Sequence, residues 1–130
     1  MKSNDPIFAL IDADRKAEKV CIMASNAATQ ALTRARNADR KNEPANAERL
    51  TEWFAVLEKK FPYLREAKER DDAAIKASKA TFNVVSHCKP TTAAGLVALL
   101  KWSLRFCELA DDNRGVKTAI DGLEKFAKAA

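Results

Sequence analysis

From Pro6 to the Asn42-Glu43-Pro44 breaker nothing interrupts a helical pattern. Ile7, Leu10, Ala17, Cys21, Ala24, Ala28, Ala31 and Ala35 recur at the spacing of one helical face. Asp5 is placed to cap this segment, and Pro6 suits a first helical position, where the absent N–H costs nothing. A helix of about 36 residues rises to roughly 54 Å, whereas a compact domain of this length has a radius of gyration of about 14 Å. The pattern therefore predicts a kink near Ser25-Asn26 or an elongated bundle, and the elongated bundle is the expectation.

The rest of the chain agrees with an all-α fold. Its 130 residues include 25 alanines but only 3 glycines and 4 prolines, with few of the β-branched and aromatic clusters that strands want. A β-sandwich, a nucleotide fold built on glycine turns and a disulfide scaffold are excluded. A second helix begins near Pro44 and carries Leu50, Phe54, Leu57, Phe61 and Leu64 in a heptad pattern. Phe61 precedes Pro62 and is pushed away from helical angles, which predicts a break there. A polar third segment runs from about Pro62 to Ser86, with Ile75, Phe82 and Val85 facing the core. Its Arg65–Glu69, Glu66–Arg70 and Asp72–Lys76 pairs mark a solvated face. Thr91 or Thr92 caps a fourth, strongly apolar helix from Ala93 to about Leu109. A turn at Asp111–Gly115 precedes a short last helix over about 116–128. The expectation is one helical domain over residues 1–130, of four to five helices with a long N-terminal one and a flexible 1–4.

Two segments carry a resemblance. Asn4-Asp5-Pro6-Ile7-Phe8-Ala9-Leu10-Ile11-Asp12 and Lys89-Pro90-Thr91-Thr92-Ala93-Ala94-Gly95-Leu96-Val97-Ala98-Leu99-Leu100 resemble a group of small, uncharacterised helical proteins of alphaproteobacteria and their mobile elements. The resemblance implies a bacterial, cytoplasmic, all-α protein and brings no activity or site residues with it. Physically, the second segment reads as a threonine cap followed by Gly95, which opens space for a neighbouring helix.

Charge and thiols narrow the setting. The net charge is +5, and no block of five like charges forms a basic arm. The longest apolar run, Leu96–Leu100, is far short of the roughly 20 residues of a membrane span. Met1–Asp5 shows no apolar run of a secretory signal. Cys21, Cys88 and Cys107 lie far apart, so reduced thiols in a cytoplasmic protein are expected.

Catalytic and metal chemistry find no support. Metal-ligand spacings such as C-x-x-C or E-x-x-H do not occur, and the sole histidine, His87, sits beside Cys88 on a turn, where neighbours do not aim at each other. Asp14 and Glu18 share a helix face and read as water-exposed carboxylates. Over Leu109–Ile120 a helix-turn-helix pattern fails by one residue in its alanine-to-glycine spacing, with Asp111 and Asp112 misplaced for phosphates. No catalytic residue, metal or cofactor is expected.

Three surfaces remain. Ala17, Ala24, Ala28, Ala31 and Ala35 form a small-residue face, read as ordinary packing or as a self-association surface. Arg34, Arg36, Arg40 and Lys41 complement the helix dipole and are the candidate polyanion contacts. Trp53 and Trp102 read as core-boundary residues or as partner anchors. The functional expectation is a non-enzymatic, macromolecule-binding or self-associating protein of the adaptor or regulator type, its partner another protein or a second copy. The alternative is a nucleic-acid-associated accessory protein using the basic end of the first helix.

Overall fold

The computed structural model describes residues 4–105 and 114–129. Among them every regular element is helical: α1 (Pro6–Ala38), α2 (Leu50–Lys60), α3 (Pro62–His87), α4 (Ala93–Leu104) and α5 (Arg114–Ala129), with short 3-10 turns at Arg40–Asn42 and Ala47–Arg49. The Asp111–Gly115 turn falls largely, and Cys107 wholly, outside the described residues.

Local chemistry sets most boundaries. The 33 residues of α1 run without a break through Ser25, so no kink forms there, and the helix ends at Ala38. Asp39, at φ −117 and ψ 22, steps out of it into the first 3-10 turn. The Asn46 side chain accepts the Glu48 N–H at 3.0 Å and opens the second. Phe61 is extended (φ −120, ψ 98), which is the restriction proline imposes on its predecessor, and it alone separates α2 from α3. Thr92 caps α4 by accepting the Gly95 N–H at 2.9 Å.

The contacts divide the chain into two compact units, Met1–Lys16 with Ala80–Ala130, and Ala17–Lys79. The first is built around Ile7, Ile11, Val85 and Trp102, with Leu10, Cys88, Ala98 and Leu99 packed against them. The second is built around Ala35, Trp53, Leu57 and Leu64, flanked by Leu32, Leu50 and Phe54. The heptad is realised here. Leu57 and Leu64 are fully buried, worth about 1.5–3 kcal/mol each relative to exposure, and Leu50, Phe54 and Phe61 are half-buried.

In the first unit the two motif segments meet. Asp5 Oδ1 accepts the Ile7 N–H at 3.2 Å, and its Oδ2 accepts the N–H groups of Thr91 and Thr92 at 2.9 Å each and the Thr92 hydroxyl at 2.8 Å. Burial pushes this carboxyl up, but the Thr92 hydroxyl and the three backbone N–H groups outweigh it and hold it below the usual value. A Cβ on Gly95 would lie 2.7 Å from Asp5 Cγ and 3.0 Å from Ile7 Cγ2. The glycine makes room for a carboxylate, not merely for a helix.

Candidate functional site

The second unit is pinned at the end of α1. Asp39, 2% exposed, accepts Lys60 Nζ at 2.6 Å, Trp53 Nε1 at 2.9 Å and Asn42 Nδ2 at 2.9 Å. The Lys60 ammonium, followed by the Trp53 and Asn42 donors, lowers its pKa to about 2 against the opposing effect of burial. That anchor ties the end of α1 to α2.

The alanine face is turned inward at Ala31 and Ala35, as its ordinary-packing reading has it, and both tryptophans are turned into the cores. Ala35 has no exposed area and packs with Trp53, Leu57 and Leu64, and Ala31 packs beside it. Ala28 lines a groove, while Ala17 and Ala24 are half-buried. The flat alanine surface accommodates the bulky side of α2 within the same chain, so Ala31 and Ala35 are not available as a seam between copies. Trp53 is 6% exposed with its indole N–H spent on Asp39. Trp102 is 3% exposed, donates to Asp14 Oδ2 at 2.8 Å and stacks at 5.0 Å on Phe82. Neither indole is free to anchor a partner. Asp14 is likewise buried, at 3% exposure, and also accepts the Thr81 hydroxyl at 2.7 Å. It is an internal acceptor rather than the water-exposed carboxylate expected.

What α1 turns outward is different. From Val20 to Thr33 there are fourteen residues without a charge, in a chain whose residues are 32% charged. Val20, Ile22 and Met23 are 58%, 54% and 71% exposed. Asn26, Thr29, Gln30 and Thr33 complete the face. The Thr29 and Thr33 hydroxyls bond back to the Ser25 and Thr29 carbonyls at 3.0 Å each, which lowers what it costs to strip water from them. Sequence reasoning followed the alanine stripe and missed this face; the charge gap between Lys19 and Arg34 is the signal that marks it.

Beside the face lies an open groove of about 250 Å³ with Ala28, Leu32, Phe54 and Leu64 as apolar lining. Ser25 Oγ donates to Asp71 Oδ1 at 2.5 Å on its rim, and Lys68 pairs with Glu58 at 2.5 Å. The volume lies below the roughly 300–1,000 Å³ of small-molecule sites, and suits an inserted side chain.

The basic end of α1 is not gathered into one phosphate-binding row. Arg34 lies 4.2 Å over the Tyr63 ring. Arg36 bonds Glu43 at 2.7 Å and lies over the Trp53 and Phe54 rings at 5.9 and 5.7 Å. Arg40 donates to Asn37 at 2.8 Å, and Lys41 is exposed. Cys21 and Cys88 are free thiols, and Cys88 packs against the first core. The exposed His87 ring has its Nδ1 2.8 Å from the Asn83 carbonyl, so His87 and Cys88 form no dyad. Among the described residues no group of three or more His, Cys, Asp or Glu side chains is placed to hold a metal, and no helix is long and apolar enough to cross a membrane. Compared with known proteins, the chain finds no matching family model, curated protein or solved structure.

Proposed function

We propose that this is a non-enzymatic helical protein of the adaptor or regulator type that associates with macromolecules, first of all with a second copy of itself, through the uncharged outer face of α1. The observation that carries the reading is the exposure of Val20, Ile22 and Met23 within a fourteen-residue stretch free of charge. Large apolar side chains exposed on an uncharged surface favour contact sites, and each gains about 1.5–3 kcal/mol when fully buried. Ordering two copies costs several kcal/mol, so three partly exposed side chains support weak, reversible association. Met23 adds adaptability, since an unbranched thioether fits many shapes.

The nucleic-acid alternative draws less support. It needs Arg34, Arg36, Arg40 and Lys41 gathered into one row for phosphates, yet Arg34 lies over the Tyr63 ring and Arg40 donates to Asn37. The proposed setting is the cytoplasm, which suits thiols too far apart in sequence to read as a disulfide framework. The proposed kinship with the alphaproteobacterial group is supported by the Asp5 clasp, where both shared segments meet.

Light scattering at high micromolar concentration tests the reading. The expected result is a mass above that of one chain, falling to one chain in the I22E/M23E double variant with its helical circular dichroism unchanged. A monomeric unmodified protein under those conditions overturns it.

A further inference from the structure

One edge of α1 specifies how two copies would meet. Glu18, Ile22, Ser25, Thr29, Leu32 and Arg36 follow one another at intervals of four, three, four, three and four, the spacing of a helix–helix seam. In chemistry the edge reads as its own complement: acid, aliphatic, hydroxyl, then hydroxyl, aliphatic, base. Turned end for end about residue 27, it sets Glu18 against Arg36, Ile22 against Leu32 and Ser25 against Thr29. We infer that α1 pairs antiparallel with α1 of a second copy in this register, an inference that rests on the self-association proposed above. A twofold axis makes every one of these pairs twice.

The surroundings fit such a seam. Ile22 is 54% exposed, and on this pairing it meets Leu32, whose neighbours Phe54 and Leu64 line the groove with room for an aliphatic side chain. Arg36 holds Glu43 through one terminal nitrogen, Nη2. A guanidinium carries five N–H donors, so donors remain for a second carboxylate. From Glu18 to Arg36 the seam runs about 27 Å. It is narrow beside the ~800 Å² per partner of a standard interface, which accords with weak pairing.

Sedimentation of charge variants tests the register. E18R and R36E should each weaken dimerisation by roughly tenfold, and the E18R/R36E double variant should restore it, because like charges then become opposite ones again. Since R36E disturbs Glu43 and E18R disturbs the contact Glu18 makes within its own chain, a second measurement uses cross-linking in a background with Cys21, Cys88 and Cys107 replaced by alanine. Mild oxidation of mixed S25C and T29C proteins should join one to the other in preference to either with itself. Met23, about 100° around the helix from Ile22, is the comparison: I22E should abolish the dimer and M23E should weaken it less. A dimer that survives I22E but not M23E, or a mixture without the S25C–T29C product, overturns this register while leaving self-association standing. An unmodified protein that is monomeric overturns both.

Discussion

Each of the two units buries an aspartate against a tryptophan indole, Asp14 within α1 in one and Asp39 just past its end in the other, and they differ in how far along the chain the partners come from and whether one is charged. In the second unit Asp39 takes Trp53 and Lys60, 14 and 21 residues away, and the ammonium lies at 2.6 Å. In the first, Asp14 takes the Thr81 hydroxyl and the Trp102 indole, 67 and 88 residues away, and both donors are neutral. The Asp5 clasp of the same unit spans 86 and 87 residues to Thr91 and Thr92. Closing long loops costs more chain entropy than closing short ones, although the increase with length is slow. The second unit is thus a local structure with its own counter-charge. The first depends on bringing the two ends of the described chain together with dipoles alone around Asp14.

The largest expected effect attacks that long-range closure. G95A places a methyl against the Asp5 carboxylate and Ile7. Overpacking of this kind costs about 3 kcal/mol, while alanine in a helix returns only about 1 kcal/mol of propensity, so the clash wins. G122A, where no atom lies within 4 Å of the added methyl, should be neutral or stabilising by up to about 1 kcal/mol. Urea midpoints measure both. Equal midpoints for the two variants would show that Asp5 can swing aside, and the first unit would then be less rigidly closed than the second.

The indoles give the next largest effect and the sharpest comparison. W102F leaves Asp14 with Thr81 as its remaining described donor, whereas W53F leaves Asp39 with Lys60 and Asn42. An unsatisfied buried polar group costs about 1–3 kcal/mol. W102F should fall at the upper end of that range and W53F at the lower, by thermal or urea unfolding. The reverse order would mean that the counter-charge of Lys60 does not compensate for a lost dipole.

The same contrast of local and distant partners decides what the sequence discloses. The helix starts at Pro6 and Ala93, the break at Phe61-Pro62 and the heptad through Leu57 and Leu64 are local signals, and the structure has them all. Asp14 is invisible in the same way that Asp5 is visible. Asp5 stands next to the helix it caps, whereas nothing near Asp14 in sequence reveals a threonine and a tryptophan more than sixty residues on. The alanine stripe was legible as a face, with ordinary packing and self-association both open. Periodicity fixes which residues share a side, and it takes the tertiary contacts to show that Ala35 turns toward Trp53 and Leu57. The outer face follows from that choice, so Ile22 and Met23 became readable as a surface only once the inner face was assigned.

The smallest effect at neutral pH, and the one confined to acid, concerns the carboxylates themselves. Asp39 titrates at about 2 in the folded protein against 3.8 for an unperturbed aspartate. A folded pKa below the unfolded one means that the stabilisation is fully present above the unfolded value and is lost as pH falls through the folded one. Stability conferred by Asp39 should therefore hold from neutral pH down to about 4 and decline between 3.8 and about 2. Asp5, also lowered but by neutral donors, should add to the decline at pH below 3.8. D39N removes the titrating group, so its urea midpoint should start lower at neutral pH and change less between pH 5 and pH 2.5 than that of the unmodified protein. If Lys60 is the chief cause, K60M should flatten the same window and should make the folded pKa of Asp39, followed by carboxyl NMR shifts, rise toward 3.8. An unchanged Asp39 titration in K60M would assign the low pKa to Trp53 and Asn42. Asp14 and Asp39 would then be held in the same way, by dipoles.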